Sequence, residues 1–449
     1  LSRNPQDPAI ATLVGTVFAA SGDRQEARKY FNRALSIRQD FFPATIALAR
    51  IEEQIGNTEK AIVLYRSLVE SQVDSVVTLL ALARLEGQQG NTQQVVDLLQ
   101  TASKEFHDES RPQLLLAEHY LRENQYQKAG LILEEAARSS PNQPVVLVLQ
   151  AKLLIASGQY QQAVSALNKL LEINPESAIA QVMLAEARMR MGSEQNAREV
   201  LQQVLSQYPD DVPALTLMTK LELLSGNLDQ AMRHSQRIKQ EYPALYLGYE
   251  LQGDVWANKQ NDVEAGRQYE QAWERMPRSE LAIRRAEVAL RSGDDEAAVG
   301  LLLSWLVEHP GDVSVRRFLG ATYYDTGHAE QAAAEYKKVL AINPDDAVAL
   351  NNLAWIYFQG NNPEARTMAE RAYRLDPDNP GVQDTYGWIL LHQDAVDKGR
   401  RLLQQASQKL SGEAEVSYHY AVALHLSGDS RQARAILEAL LAKDMPFDS

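Results

Sequence analysis

The sequence predicts an all-α fold, a superhelical α-α solenoid of about thirteen helix-turn-helix units, and three spaced observations predict it. A turn residue returns every 34 positions: Gly22, Gly56, Gly90, Asn124, Gly158, Gly192 and Gly226, continued by Gln260, Gly293, Gly327, Gly360, Asp394 and Gly428. Five residues after each turn stands a small residue, from Ala27 and Ala61 through Val95 to Ala365, Gly399 and Ala433, and eleven of the thirteen are alanine. Pro141, Pro175, Pro209 and Pro243 each fall seventeen residues after a turn. A fixed period of this length is the mark of stacked helical repeats.

Each element has a physical reason. The turn glycine ends the first helix, here helix A, in the left-handed conformation that a Cβ penalises. The alanine lets the second helix, helix B, approach helix A closely. The proline cannot continue helix B, so the chain turns back there. Between these marks Leu64 with Leu68, and Leu201 with Leu205, form i, i+4 pairs on a buried stripe.

The period runs over residues 8–447. Residues 1–7 read as the tail of a preceding repeat and 448–449 as the start of a further C-terminal segment, so the chain is expected to be a fragment of a longer protein. The step from Pro277 to Ala286 is one residue short, which tightens the loop entering repeat nine. Either local drift or a hinge near residues 278–282 accounts for it. The turn after Ala354 is also one residue short, with Asn361, Asn362 and Pro363 as a cap and first-turn proline of helix B. Repeat twelve replaces glycine and alanine by Asp394 and Gly399.

Composition narrows function more than it assigns it. Hydrophobic residues make up 45% of the chain with no run long enough to span a membrane. A net charge of −14 gives no basic footprint for nucleic acid. The absence of cysteine removes disulfides, zinc-thiolate sites and thiol nucleophiles. No phosphate-binding loop, dinucleotide fingerprint, zinc-protease motif or nucleophile elbow occurs. The eight histidines are scattered, and Asp210–Asp211 and Asp345–Asp346 follow helix-ending prolines, where they suit the next helix's positive N-terminus. No catalytic residue, cofactor or metal is expected.

The turn, small residue and proline at this spacing resemble the tetratricopeptide repeat (TPR) over essentially the whole chain. That resemblance implies a concave groove lined by helix A, with a central inward position six residues before each turn. The position reads Thr16, Arg50, Arg84, Glu118, Lys152, Glu186, Lys220, Asp254 and Glu287, then Ala321, Trp355 (five residues before Gly360), Trp388 and Val422. From Arg50 to Glu287 it forms a ladder of largely alternating charge, either a self-paired wall or a polar track for a peptide or sugar polymer. Arg84, Arg111 and Arg122 bias its N-terminal part positive. The later part is an aromatic patch of Tyr324, Asn351, Trp355, Phe358, Trp388, His392, Tyr418 and His425, either stacking platforms for a ligand or mutual packing. Trp256, Trp273 and Trp305 fit packing positions.

A narrower resemblance lies in NNLAW, RLDPDNP and D-T-x-G-W within residues 350–392, followed by YHYAVALH at 418–425. These are similar to bacterial cell-envelope TPR lipoproteins of the PEP-CTERM/exosortase and exopolysaccharide systems. The resemblance implies a non-catalytic periplasmic scaffold, bound to the membrane only through an anchor outside this chain. It would hold a protein or peptide segment in its groove. A carbohydrate-binding solenoid guiding an exopolysaccharide is the alternative, and a co-chaperone or regulatory adaptor, with a cytoplasmic location, a further one. A carboxylate clamp of the chaperone-binding type is incomplete here, because the positions around Asn351 are aromatic.

Overall fold

The computed structural model describes residues 6–71, 75–106, 108–393 and 395–442. The expectations for residues 1–5, the turn at Asp394 and residues 443–449 lie outside these. The described residues form 26 helices and no strand, paired as thirteen A/B repeats from Pro8–Ala20 with Arg24–Ile37 to Ala414–Leu426 with Ser430–Ala442. They divide into two compact units at Leu221/Glu222.

The expected punctuation is visible atom by atom. Gly22, Gly56, Gly90, Gly158, Gly192, Gly226, Gly293, Gly327 and Gly428 all have positive φ, and Asn124 and Gln260 take the same conformation at φ 56°. The small residues at the start of helix B, Ala27 through Ala332, are buried, with ten of them at 0–8% exposure. Helices Tyr126–Ser139, Tyr160–Ile173, Glu194–Gln207 and Leu228–Glu241 each end two residues before their proline.

One turn is corrected. Gly360 is not the left-handed residue: it closes helix Ala347–Gln359 at φ −81°, and Asn361 takes φ 54°. The turn therefore keeps the 34-residue step from Gly327. Helix B begins at Ala365, and Asn362 Oδ1 accepts from Glu364 N at 2.9 Å in the turn before it. The shortening thus falls between the turn and the small residue, four positions from Asn361 to Ala365 instead of five, and Asn362 and Pro363 lie in the turn rather than capping and opening helix B as expected.

In the first unit, from its second repeat on, each A helix sits between the B helix of its own repeat and that of the repeat before. Around Ala197, for example, Ala185, Leu201, Val204, Ala214, Met218 and Leu221 pack into one core. Carboxylates buried at a repeating position complete the frame. Glu52 and Glu86 accept from Asn57 and Asn91 five residues on, at 2.6 and 2.7 Å, and pair with Arg28 and Arg66 of the preceding B helix at 2.5 Å. Burial this deep is tolerable because both charge and hydrogen bonds are matched. The acidic residues after prolines act as helix caps: Asp211 Oδ1 accepts from Ala214 N at 2.8 Å and Asp346 Oδ1 from Ala349 N at 2.9 Å.

The second unit repeats this plan with larger side chains. Trp256, Trp273 and Trp305 are half-buried in its cores, and Trp305 Nε1 donates to Asp312 Oδ2 at 2.7 Å. The shortened loop, residues 276–278, lies inside this unit. Arg278 ties it down by donating to Tyr246 Oη at 2.5 Å and Glu280 Oε2 at 2.9 Å, and Ser279 Oγ donates to Asp312 Oδ2 at 2.6 Å. Gly399 in repeat twelve has a packing reason. A Cβ there would meet the Gly387 carbonyl oxygen at 2.7 Å and Leu391 N at 3.1 Å, so the two helices of this repeat touch backbone to backbone.

Candidate binding walls

In each unit consecutive A helices lie side by side and form a wall. On the first unit's wall the charged ladder is only partly self-paired. Arg84 reaches Glu53 at 2.5 Å, and Lys152 approaches Glu118, its neighbour in the ladder, at 4.0 Å. Arg50 lies beside Tyr65, Glu186 is half-buried, Lys220 is exposed, and Thr16 bonds its own helix at Thr12 O. Exposed pairs of this kind contribute about 0–1 kcal/mol each, so the ladder is not what holds the wall together.

Beside the ladder runs an apolar rail that the sequence reading did not identify. Val77, Val145 and Ile179, in the first turns of helices Val76–Gln88, Pro144–Ala156 and Ala178–Arg190, are 52%, 51% and 54% exposed. Leu80, Leu115, Val148 and Val182 continue it into three cavities. One of 690 Å³ carries Arg84, Arg111 and Arg122 on its rim, the next is 510 Å³, and the third, 950 Å³, holds Glu186 and Arg190. The signal in the sequence is a valine or isoleucine recurring at multiples of 34, at a place in the repeat where Arg111 interrupts it. His119, at the edge of the first cavity, is held below the usual imidazole range by burial.

On the second unit's wall the last ladder residues converge on one cation. Arg284 contacts Asp254 at 3.2 Å and Glu287 at 3.9 Å, while the Tyr269 hydroxyl donates to Asp254 Oδ1 at 2.8 Å. Burial, reinforced by Asp254, pushes that phenol far above its ordinary range.

Most of the aromatic patch is brought together. Trp355 Nε1 donates to Tyr324 Oη at 2.7 Å, and Tyr324 Oη donates to Gln359 Oε1 at 3.0 Å. Trp355 and Phe358 rings are 6.0 Å apart, Phe358 meets His392 edge-on at 5.3 Å, and Trp388 lies 4.4 Å from His392 and 6.1 Å from Tyr418. His425 stands apart, exposed, with Ser430 Oγ 3.1 Å from its Nδ1. The residue that joins the two tryptophans was not singled out. His419, 4% exposed, stacks on Trp388 at 3.9 Å and lies 6.0 Å from Trp355. Its Nδ1 is 2.9 Å from Asp384 Oδ2, and Asp384 is itself 8% exposed. Asn351, Asp384 and Tyr418 occupy the same position of successive A helices, which is the signal that would have found Asp384.

Asn351 and Asp384 line a cavity of 330 Å³ with Tyr324, Trp355, Asp325 and Glu415. Asp325 itself is exposed, but the neighbouring cavity wall desolvates its carboxyl enough to hold it above its ordinary range. Among the described residues no group of three or more His, Asp or Glu is arranged to hold a metal ion, and no helix is long and apolar enough to cross a membrane.

Comparison with known proteins gives a consistent family. Tetratricopeptide-repeat models match residues 18–85, 88–153 and 154–221, and further TPR models match 320–361 and 414–439. A TPR repeat-containing protein of Pseudomonas aeruginosa is 29% identical over 145 residues, 31% of this chain and 24% of that protein. Cellulose synthase 1 operon protein C of Komagataeibacter xylinus is 27% identical over 206 residues, 41% of this chain and 15% of that protein. The chain thus matches less than a quarter of the length of either relative. Yeast Tom70 shares the fold, with a TM-score of 0.52 over 98% of this chain and 97% of that one at 15% identity. With repeat models covering more than half its length, the chain belongs to the tetratricopeptide-repeat proteins.

Proposed function

We propose that this TPR chain is a non-catalytic scaffold of the bacterial cell envelope, which holds protein segments against its A-helix walls in an exopolysaccharide or protein-sorting system. The observation that carries the protein-binding part is the apolar rail. Val77, Val145 and Ile179 are half-exposed, recur at the same place in their repeats with Arg111 standing between the first two, and are set over cavities with charged rims. Such a surface suits a peptide with apolar anchors and polar flanks, because covering the exposed half of each branched side chain contributes about 1 kcal/mol. Likeness to a cellulose synthase operon protein supports the exopolysaccharide setting. The motifs within residues 350–392 support the narrower PEP-CTERM/exosortase lipoprotein setting and a periplasmic location, with any lipid anchor outside this chain.

Carbohydrate binding on Trp355 and Trp388 is the second reading, favoured by their equivalent places on neighbouring A helices. Two observations count against it: His419 covers one face of Trp388, and the Trp355 N–H is engaged by Tyr324. Peptide-library and glycan-array binding to the native chain, to Val145→Asp/Ile179→Asp and to Trp355→Ala/Trp388→Ala separates the two. The protein-scaffold reading expects peptide binding that weakens about tenfold or more in the rail variant. Glycan binding lost only in the tryptophan variant, with no peptide bound by any form, would replace it with the second reading.

A further inference from the structure

The 330 Å³ cavity between the A helices of repeats ten to twelve (Val313–Asp325, Ala347–Gln359 and Pro380–Leu391) has an unusual hydrogen-bond balance. Most of its donors are engaged inside the wall. Trp355 Nε1 goes to Tyr324, Tyr324 Oη to Gln359, Asn352 Nδ2 to Tyr336 Oη at 2.9 Å, and Asn351 Nδ2 to Asn352 Oδ1 at 3.4 Å. Two acceptors are left over. Asp384 Oδ1 and Asn351 Oδ1 are both buried and have no hydrogen-bond partner in the protein. Leaving such atoms unmatched costs about 1–3 kcal/mol each, more for a charged group, so a site that keeps them is built for something that donates.

Charge points the same way. Asp325, Asp384 and Glu415 line the cavity and no lysine, arginine or histidine does. His419 meets Asp384 through its other oxygen, Oδ2, and leaves Oδ1 buried without a hydrogen-bond partner. The remaining wall is aromatic, with Trp355 and Tyr324, which attracts cations through its ring faces. A sugar presents hydroxyls that accept as well as donate, and this lining offers it few free donors, the hydroxyls of Thr385 and Tyr336.

We infer that this cavity receives one basic side chain, an arginine or lysine presented by a protein partner. The inference rests on the protein-binding reading above and names the chemistry of its second contact. The guanidinium or ammonium would donate to Asp384 Oδ1 and Asn351 Oδ1, with Trp355 against its apolar stem. Asp325 and Glu415, both exposed, would draw it in by long-range attraction.

The test is an NMR titration of the full chain, following the Trp355 indole N–H, assigned through Trp355→Phe. The probes are N-acetyl-arginine amide, its neutral isostere N-acetyl-citrulline amide, and methyl-β-glucoside. The arginine probe is expected to shift that signal, with affinity reduced about tenfold or more in Asp384→Asn and reduced by added salt. The conservative Asp325→Asn and Glu415→Gln variants, exposed and remote from the core, are expected to weaken binding less. An equal shift with citrulline or the glucoside, or no shift with arginine while the folded spectrum persists, would overturn the inference. Peptides that bind in the library assay without a fixed basic residue, and equally well to Asp384→Asn, would sink this inference and leave the scaffold reading standing.

Discussion

Glu250, on helix Tyr246–Asn258, shows how far single residues on these walls are from their ordinary chemistry. Burial raises its carboxyl above the usual range, the Arg278 guanidinium at 3.8 Å opposes this, and Asp254 adds to it. A carboxyl raised in the folded state ionises first in the unfolded chain. Its presence therefore costs stability as pH climbs above the ordinary carboxylate value, and nothing below it. Glu250→Gln is expected to melt higher than the native chain at neutral pH and equally at acidic pH. Melts that differ by the same amount at both pH values would contradict this. The corrected turn makes a second residue-level test. Gly360→Ala is expected to add about 0.4–1 kcal/mol, since its φ of −81° suits any residue. Asn361→Ala is expected to lose about 1–2 kcal/mol, since it would hold alanine at φ 54°. The reverse ranking in urea melts would restore Gly360 as the turn residue.

At the scale of the helix pair, Gly399 is the informative position. An alanine inside a helix ordinarily gains about 1 kcal/mol over glycine. Here the added methyl would press on the backbone of Gly387 and Leu391, so Gly399→Ala is expected to lose about 1–3 kcal/mol, read as a lower urea midpoint. A raised midpoint would mean the two helices of repeat twelve can part. This pair also marks where reading the chain as a string stops working. Turn residues and small residues were legible because each acts through its own local backbone or at a fixed spacing. Gly399 looked like a lapse from alanine because its reason lies on the facing helix, at Gly387. The same holds for the site: Trp355 and Trp388 were legible by period, whereas His419 and Asp384 meet across 35 residues and two helices. Their pairing needs the actual inter-helix distance. Gly360 misled because glycine and asparagine both accept a left-handed turn, so composition does not choose between adjacent residues.

On the scale of the whole chain, repeats touch chiefly their neighbours, so stability is a sum of local terms and unfolding need not be all-or-none. All five tryptophans fall between Trp256 and Trp388, within the second unit. Urea unfolding followed by tryptophan fluorescence is therefore expected to differ in midpoint from the same transition followed by far-UV circular dichroism, which reports both units. Superimposable curves would show a single cooperative block instead. The central claim, that recognition happens on the A-helix walls, has a more direct test. A photo-crosslinking amino acid placed at Val77, Val145 or Ile179, in cells of the source organism, is compared with one at Val63 or Leu131, apolar residues of B helices that are 64% and 70% exposed. The account predicts adducts to a shared protein partner from the three rail positions and not from the two B-helix positions; adducts only from Val63 and Leu131, with none from the rail, would contradict it.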